Sequence, residues 1–286
     1  VKNLPYLSPI KIREFIQAAL LEDVGEGDHS TLASIPAEKI GKAQLLIKQD
    51  GVIAGLDLAK MIFEQFDPKL EVTLLLKDGD LVKSGDIGLI VEGSAASILT
   101  TERLVLNCMQ RMSGIATKTH KLAQLIAHTK AKLMDTRKTT PNFRMMEKWA
   151  VVLGGGRNHR FALYDMVMLK DNHIDFAGGI QKAVASTRAY LADKKLDLKI
   201  EVETRNLEEL EEALRVGGMD WIMLDNMDFA TMRKAVEMVN GRYKLEASGG
   251  ITEENLKDVA ECGVDYISVG ALTHQVQSMD ISLKAF

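Results

Sequence analysis

Cysteine is nearly absent: the 286 residues hold only two, Cys108 and Cys262. Two thiols cannot build a disulfide framework. With no C-x-x-C pair either, they predict a reducing compartment. Proline is scarce at 5 residues, and glycine, at 22, is not in excess. A collagen-like or proline-rich disordered chain is therefore excluded. No apolar run reaches membrane-spanning length. The first ten residues carry two prolines and no signal-peptide core, so the expected location is the cytoplasm. Basic charge is not in excess, since 36 Lys and Arg face 40 Asp and Glu for a net of −4. A nucleic-acid partner is disfavoured on that ground. No His or Cys group has the spacing of a zinc site.

What remains is the balance of a soluble enzyme, 46% apolar and 27% charged, long enough for one barrel-sized domain or one large and one small. Ser8-Pro9 caps an amphipathic helix over 9–22, with Ile12, Phe15, Ile16, Ala19 and Leu20 at helical spacing. Residues 23–31 read as a turn. Short β-type runs follow at 43–48, 70–77, 81–83 and 87–92, and Asp78-Gly79-Asp80 reads as a hairpin turn. Helices are expected over 57–66 and 97–113, the second carrying Arg103, Asn107 and Arg111. A boundary is expected near 115, at Gly114, with domains over 1–115 (joined by the tail 275–286) and 116–274.

Beyond residue 130 strands alternate with amphipathic helices, the pattern of parallel β/α units. Strands are expected at 199–203, 221–225, 244–247 and 266–269, and helices at 206–216, 228–239 and 252–262. Glu203, Asp225, Ser248 and Gly270 close successive strands at steps of 22, 23 and 22 residues. Gly-Met-Asp-Trp-Ile at 218–222 returns as Gly-Val-Asp-Tyr-Ile at 263–267. A unit of one strand and one helix favours a β/α barrel over an open doubly wound sheet.

Residues 135–170 hold seven Lys or Arg and three Asp or Glu, a local +4 in an acidic chain. The bases stand at expected strand ends and in the loop Gly154–Arg160. That placement fits a pocket for a polyanionic small molecule, with Arg suited to carboxylates and Lys to phosphate. His159, between Asn158 and Arg160, reads as a ligand-facing donor. His173 reads equally as a loop-ordering residue. His29 and His120 read as structural or surface residues. Glu201 and Glu203 share one face of a strand and would point into a barrel. Their expected partners are Lys138 and Lys170, or a Mg²⁺ ion shared with Asp225. Glycines in Ser248–Ile251 and Gly270–His274 suit backbone binding of a phosphate.

These motifs together resemble the quinolinate phosphoribosyltransferase family. The resemblance rests on Thr101–Leu104 with Asn107, Asp135–Pro141, Glu147-Lys148, Gly154–Arg160, Lys170–His173 and Glu201–Glu203. It extends through Leu224–Asn226, Ser248–Ile251, and Gly270–His274 with Asp280–Leu283. It implies an α/β protein, an N-terminal α/β sandwich joined to an incomplete, seven-stranded β/α barrel. It implies decarboxylating phosphoribosyl transfer from phosphoribosyl pyrophosphate to quinolinate in NAD synthesis, with Mg²⁺ and no organic cofactor. It also implies a homodimer in which Arg103 is lent across the interface, further association being left open. The resemblance places Arg137, His159 and Arg160 on the quinolinate carboxylates, with Thr136 nearby. Lys138 and Lys170 fall near the reacting centre and diphosphate. Glu203 and Asp225 fall on the ribose and metal side, with Glu201 as neighbour. Ser248, Gly249, Gly250, Val269, Gly270 and Ala271 form the 5′-phosphate cradle, while His274 has no settled role.

Two other readings stand beside it. One is a related phosphoribosyltransferase for another anionic heterocycle, nicotinate-like or tied to molybdenum metabolism. The other takes Asp78–Asp86 as a lipoyl-like carrier module, though no lysine sits at a hairpin tip between hydrophobic residues.

Overall fold

A computed structural model describes residues 4–286, which divide into two compact units. In chain order the elements are α1 (Pro9–Val24), α2 (His29–Ser34), β1 (Ile40–Ile47), β2 (Gly51–Val52), α3 (Leu56–Phe66), β3 (Glu71–Leu74), β4 (Leu81–Val82), β5 (Ile87–Ser94) and α4 (Ala95–Leu125). There follow β6 (Lys132–Met134), α5 (Arg144–Leu153), β7 (Val167–Leu169), α6 (Asp171–Ala177), α7 (Ile180–Lys194), β8 (Ile200–Thr204) and α8 (Leu207–Val216). The chain ends with β9 (Trp221–Asp225), α9 (Phe229–Val239), β10 (Lys244–Ser248), α10 (Leu256–Glu261), β11 (Tyr266–Ser268), α11 (Ala271–His274) and β12 (Ile281–Ala285).

The first unit takes the described residues up to His120, then Lys138–Gly155 and Ala271–Phe286. Its sheet runs β12-β1-β5-β3, and every pairing is antiparallel. Leu45, Ile47, Leu89 and Val91 of the sheet, with Leu58, Ile62 and Phe63 of α3, are buried in its core. Asp78-Gly79-Asp80 makes no hairpin, because β3 pairs with β5 while β4 pairs with β2. The Asp78 carboxylate instead accepts the backbone N–H groups of Gly55, Leu56 and Asp57 at 2.6, 2.8 and 3.2 Å. It caps α3 from a distant loop, at a helix start whose Gly55 has no capping side chain. The expected turn over 23–31 is shortened because Asp28 caps α2. The helix expected to stop at 113 continues to Leu125, with Gly114 inside it. A Cβ at Gly114 would stand 2.3 Å from the Gln277 carbonyl, so this glycine admits the returning tail rather than ending the helix.

The second unit takes Lys121–Arg137 and Gly156–Gly270. Its parallel sheet runs β6-β11-β10-β9-β8-β7. β11 pairs with β6, which joins the last strand to the first. Among the described residues six strands are continuous, and the seventh barrel position is a single parallel bridge between Arg157 and Met134. The result is an incomplete β/α barrel. Its repeated Gly-x-Asp motif has a structural meaning. Asp220 accepts the Ile200 N–H at 2.8 Å, and Asp265 accepts the Leu245 N–H at 3.0 Å. Each aspartate thus ties the loop before its own strand to the start of the preceding one.

Candidate active site

Parallel strands leave their carboxyl ends open for loops that carry chemistry. Residues singled out from sequence gather at those ends in the barrel unit. Thr136 and Arg137 follow β6, and Lys170 follows β7. Glu203 and Asp225 stand near the ends of β8 and β9. Ser248 closes β10 ahead of Gly249 and Gly250, and Val269 and Gly270 follow β11. Arg103 is exposed on α4 in the other unit. Lys138 is exposed there too, four residues past β6 rather than at the strand end where it was expected. Ala271 opens α11 in that unit as well.

The two glutamates of β8 face inward, and Val202 between them is fully buried on the opposite face. The partners of Glu201 differ from the expected lysines. Glu201 accepts a 2.7 Å hydrogen bond from His159 Nε2. Glu246 of β10 lies 3.4 Å from the same nitrogen. The single Nε2–H is spent on Glu201, so Glu246 is a charge partner without a hydrogen bond of its own. Burial alone would push the His159 imidazole down, but the bond to Glu201 and the charges of Glu246 and Glu201 outweigh it and lift the group to about 10. Burial, reinforced by the charge of Glu246, raises Glu201 to about 7 against the pull of His159. His159 therefore directs Nε2 inward, toward the two carboxylates. Glu246 is the residue that sequence reading missed. Its signal was a charge between the apolar Leu245 and Ala247 of the strand Lys244–Ser248, two residues before Ser248 and so on the same face.

Glu203 sits in different company. Burial raises its carboxyl, and the negative charge of Asp225 raises it further, while Lys170 opposes the shift. Asp225 accepts a 2.7 Å bond from the side chain of Asn226. Asn226, in the left-handed region at φ 54°, also donates its backbone N–H to the Ser248 carbonyl at 2.9 Å. A Cβ on Gly249 would fall 2.2 Å from Asn226 Oδ1, and φ there is +89°. Only glycine fits, and with Gly250 at φ +60° it turns the backbone into an amide-lined bend. The helix after this bend begins at Leu256 rather than 252, because Asn255 Oδ1 accepts the Thr252 N–H at 2.8 Å and holds an open turn.

On the basic side, burial lowers the Arg160 guanidinium and the positive charge of Arg137 lowers it further. Two cations that oppose one another in a half-buried setting suit an anion with more than one charge. His173 is a loop-ordering residue: its Nδ1 accepts the Lys170 N–H at 3.1 Å. Among the described residues, one group of three donors is close enough to hold a metal ion. It is His159, Glu201 and Glu246.

In the other unit, Glu147 is fully buried and accepts from Arg111 Nε at 3.0 Å and Nη2 at 2.9 Å. Thr140 adds its hydroxyl at 2.9 Å and its N–H at 3.0 Å. Arg111 also donates to the Thr273 carbonyl, and the Thr273 hydroxyl donates to the Lys138 carbonyl at 2.8 Å. Arg111 and Thr273 thus fix the backbone that carries Lys138, a role their sequence positions did not reveal.

Comparison with known proteins gives a consistent picture. The family model for the quinolinate phosphoribosyl transferase C-terminal domain matches residues 115–284, and that for its N-terminal domain matches 28–113. A Nicotiana glauca protein named mitochondrial quinolinate phosphoribosyltransferase [decarboxylating] 2 is 47% identical over 96% of this chain and 82% of its own. A Bacillus subtilis protein named probable nicotinate-nucleotide pyrophosphorylase [carboxylating] is 42% identical over 97% of this chain and 94% of its own. The crystal structure of NadC from Streptococcus pyogenes superposes with a TM-score of 0.92 at 42% identity, covering 98% of both chains.

Proposed function

The chain belongs to the quinolinate phosphoribosyltransferase family, enzymes of NAD synthesis, and we propose that it joins quinolinate to the ribose of phosphoribosyl pyrophosphate. Pyrophosphate and CO₂ leave, and nicotinate mononucleotide remains. The observation that carries this reading is the sorting of charge at the strand ends. Arg137 and Arg160 oppose one another on the basic side, while Glu203 and Asp225 oppose one another on the acidic side. A pyridine dicarboxylate relieves the first repulsion, and a developing positive charge on the sugar relieves the second.

Arg137 and Arg160 hold the quinolinate carboxylates, with Thr136 beside them. Lys170 faces the diphosphate, and Lys138 keeps the role that the family resemblance gives it. Ser248, Gly249, Gly250, Val269 and Gly270 receive the 5′-phosphate through backbone amides. The pyridine nitrogen attacks C1′ as the bond to pyrophosphate breaks. The resulting pyridinium stabilises the electron pair left on the adjacent ring carbon as its bond to CO₂ breaks; CO₂ departs, and a proton from water completes the ring C–H. Arginines that gripped this carboxylate equally in the transition state would oppose its loss, so their contribution lies in binding more than in the decarboxylation step.

Glu203 and Asp225 fit Mg²⁺, because both donors are oxygens and each negative charge disfavours the other in the absence of a cation. Bound there, the ion would neutralise the departing pyrophosphate. Arg103, exposed on α4, is the residue we assign to a second subunit's site in a homodimer. No helix among the described residues is long and apolar enough to cross a membrane. Cys108 and Cys262 are buried and free, which supports the cytoplasm as the proposed location, although the Nicotiana relative is named mitochondrial.

Incubation with quinolinate, phosphoribosyl pyrophosphate and Mg²⁺ tests the reading. Release of CO₂ with formation of nicotinate mononucleotide supports it. Turnover of nicotinate in place of quinolinate would favour the alternative heterocycle. Arg137→Ala is expected to raise the quinolinate KM by the equivalent of about 2–5 kcal/mol, as for a desolvated charge pair. An unchanged KM removes Arg137 from carboxylate binding.

A further inference from the structure

A strand inside a barrel is held by hydrogen-bond ladders on both sides. Residues 157–160 have almost none. Arg157 donates its N–H to the Leu133 carbonyl at 2.8 Å, and its carbonyl accepts from Asp135 N–H at 3.1 Å. The bridge ends there, and β7, at the other edge of the sheet, pairs with β8 alone. Yet this segment carries Arg160, and misplacing a binding cation by an ångström is costly.

Side chains replace the missing ladder. The buried Asp135 carboxylate accepts from the Asn158 side chain at 2.5 Å and from the His159 N–H at 2.9 Å. The His159 ring then reaches into the barrel interior. Its Nε2 meets Glu201 of β8 at 2.7 Å and Glu246 of β10 at 3.4 Å. Both carboxylates are fully buried. Trp221 of β9 meets the imidazole edge-on, with ring centroids 6.4 Å apart, and stacks at 4.5 Å on Tyr266 of β11. The histidine is thereby fixed to residues on three adjacent strands. Glu246 makes no hydrogen bond in this arrangement, so it would be a poor choice for a purely structural core position. Its placement makes sense if its charge holds the ring where Glu201 alone could let it swing.

We propose that Glu246 is a positioning residue: with Glu201 it clamps His159 inside the barrel and so holds the 157–160 segment, with Arg160, in the place of the missing strand. The proposal rests on the assignment of Arg160 to a quinolinate carboxylate. Glu246 touches no substrate, and its effect passes through His159.

The test is Glu246→Gln, which keeps the side-chain shape and removes the charge. Its quinolinate KM is expected to rise about ten-fold, while kcat and the KM for phosphoribosyl pyrophosphate stay within about three-fold of wild type. Combined with His159→Asn, it should raise the quinolinate KM no more than about two-fold beyond His159→Asn alone, because both changes break one clamp. Amide hydrogen exchange over 156–161 should accelerate about ten-fold or more, with core strands unaffected. An unchanged quinolinate KM overturns the proposal. So does a parallel loss for both substrates, an additive double variant, or unaltered exchange in 156–161. A wild-type protein that forms no product from quinolinate defeats the functional reading instead. The exchange measurement then decides the clamp without reference to activity.

Discussion

At the scale of single residues, several ionisable side chains in this protein are buried against partners of opposite charge. Glu147 shows the rule most plainly. It is a fully buried carboxylate that takes two guanidinium bonds from Arg111 and two more bonds from Thr140. Removing one partner of such a pair costs far more than the pair is worth, because the other charge stays buried and alone. Arg111→Ala is therefore expected to destabilise the protein by about 3–5 kcal/mol, read as a fall in the urea midpoint. Arg111→Met combined with Glu147→Gln should recover much of that loss, since no unpaired charge remains. A single variant as stable as wild type would show that water reaches Glu147 and that the pair does not organise the Lys138 backbone. Sequence gave no warning of this role: a lone arginine on a long helix looks the same whether it meets solvent or a buried glutamate.

At the scale of elements, legibility tracked periodicity. Strands β8 to β11 and the helices between them were readable to within a residue or two at most ends, because each unit repeats one buried face and one turn. The exceptions have local causes. α10 starts late because Asn255 holds an open turn, and α4 runs on because Gly114 serves packing rather than termination. Asp78-Gly79-Asp80 has the composition of a hairpin, yet its first aspartate caps a helix more than twenty residues earlier in the chain. Such a long-range partner leaves no local trace. The site followed the same division: strand-end residues were legible from the repeat, whereas Glu246 was not, because its partner lies on a segment with no periodicity. The repeated aspartates allow a direct test. Asp265→Ala leaves the Leu245 N–H without its acceptor at the start of β10, and Asp220→Ala does the same to Ile200 at the start of β8. Each is expected to cost about 1–2 kcal/mol in urea unfolding, with the Asn variants losing less because one acceptor oxygen remains. Tolerance of both alanines would mean that the 45-residue echo has no structural basis.

At the scale of the whole molecule, the net charge of −4 conceals a barrel unit whose strand ends gather cations. Under the proposed reading the site takes two anionic substrates, and exposed Arg103 on α4 is the further cation we assign to the neighbouring subunit. That assignment predicts complementation. Arg103→Ala alone gives dimers in which neither site receives the arginine. Lys170→Ala alone gives dimers in which both sites lack their own lysine. In a hybrid, the site built on the Arg103→Ala chain keeps its Lys170 and receives Arg103 from its partner, so one site of two is whole. Random reassortment makes half the dimers hybrid, so mixing equal amounts should restore about a quarter of wild-type turnover. The mixture must first be dissociated and reassociated, and hybrids counted by differently tagged chains. If confirmed hybrids stay as inactive as either parent, Arg103 acts within its own subunit or not at all, and the shared site is wrong.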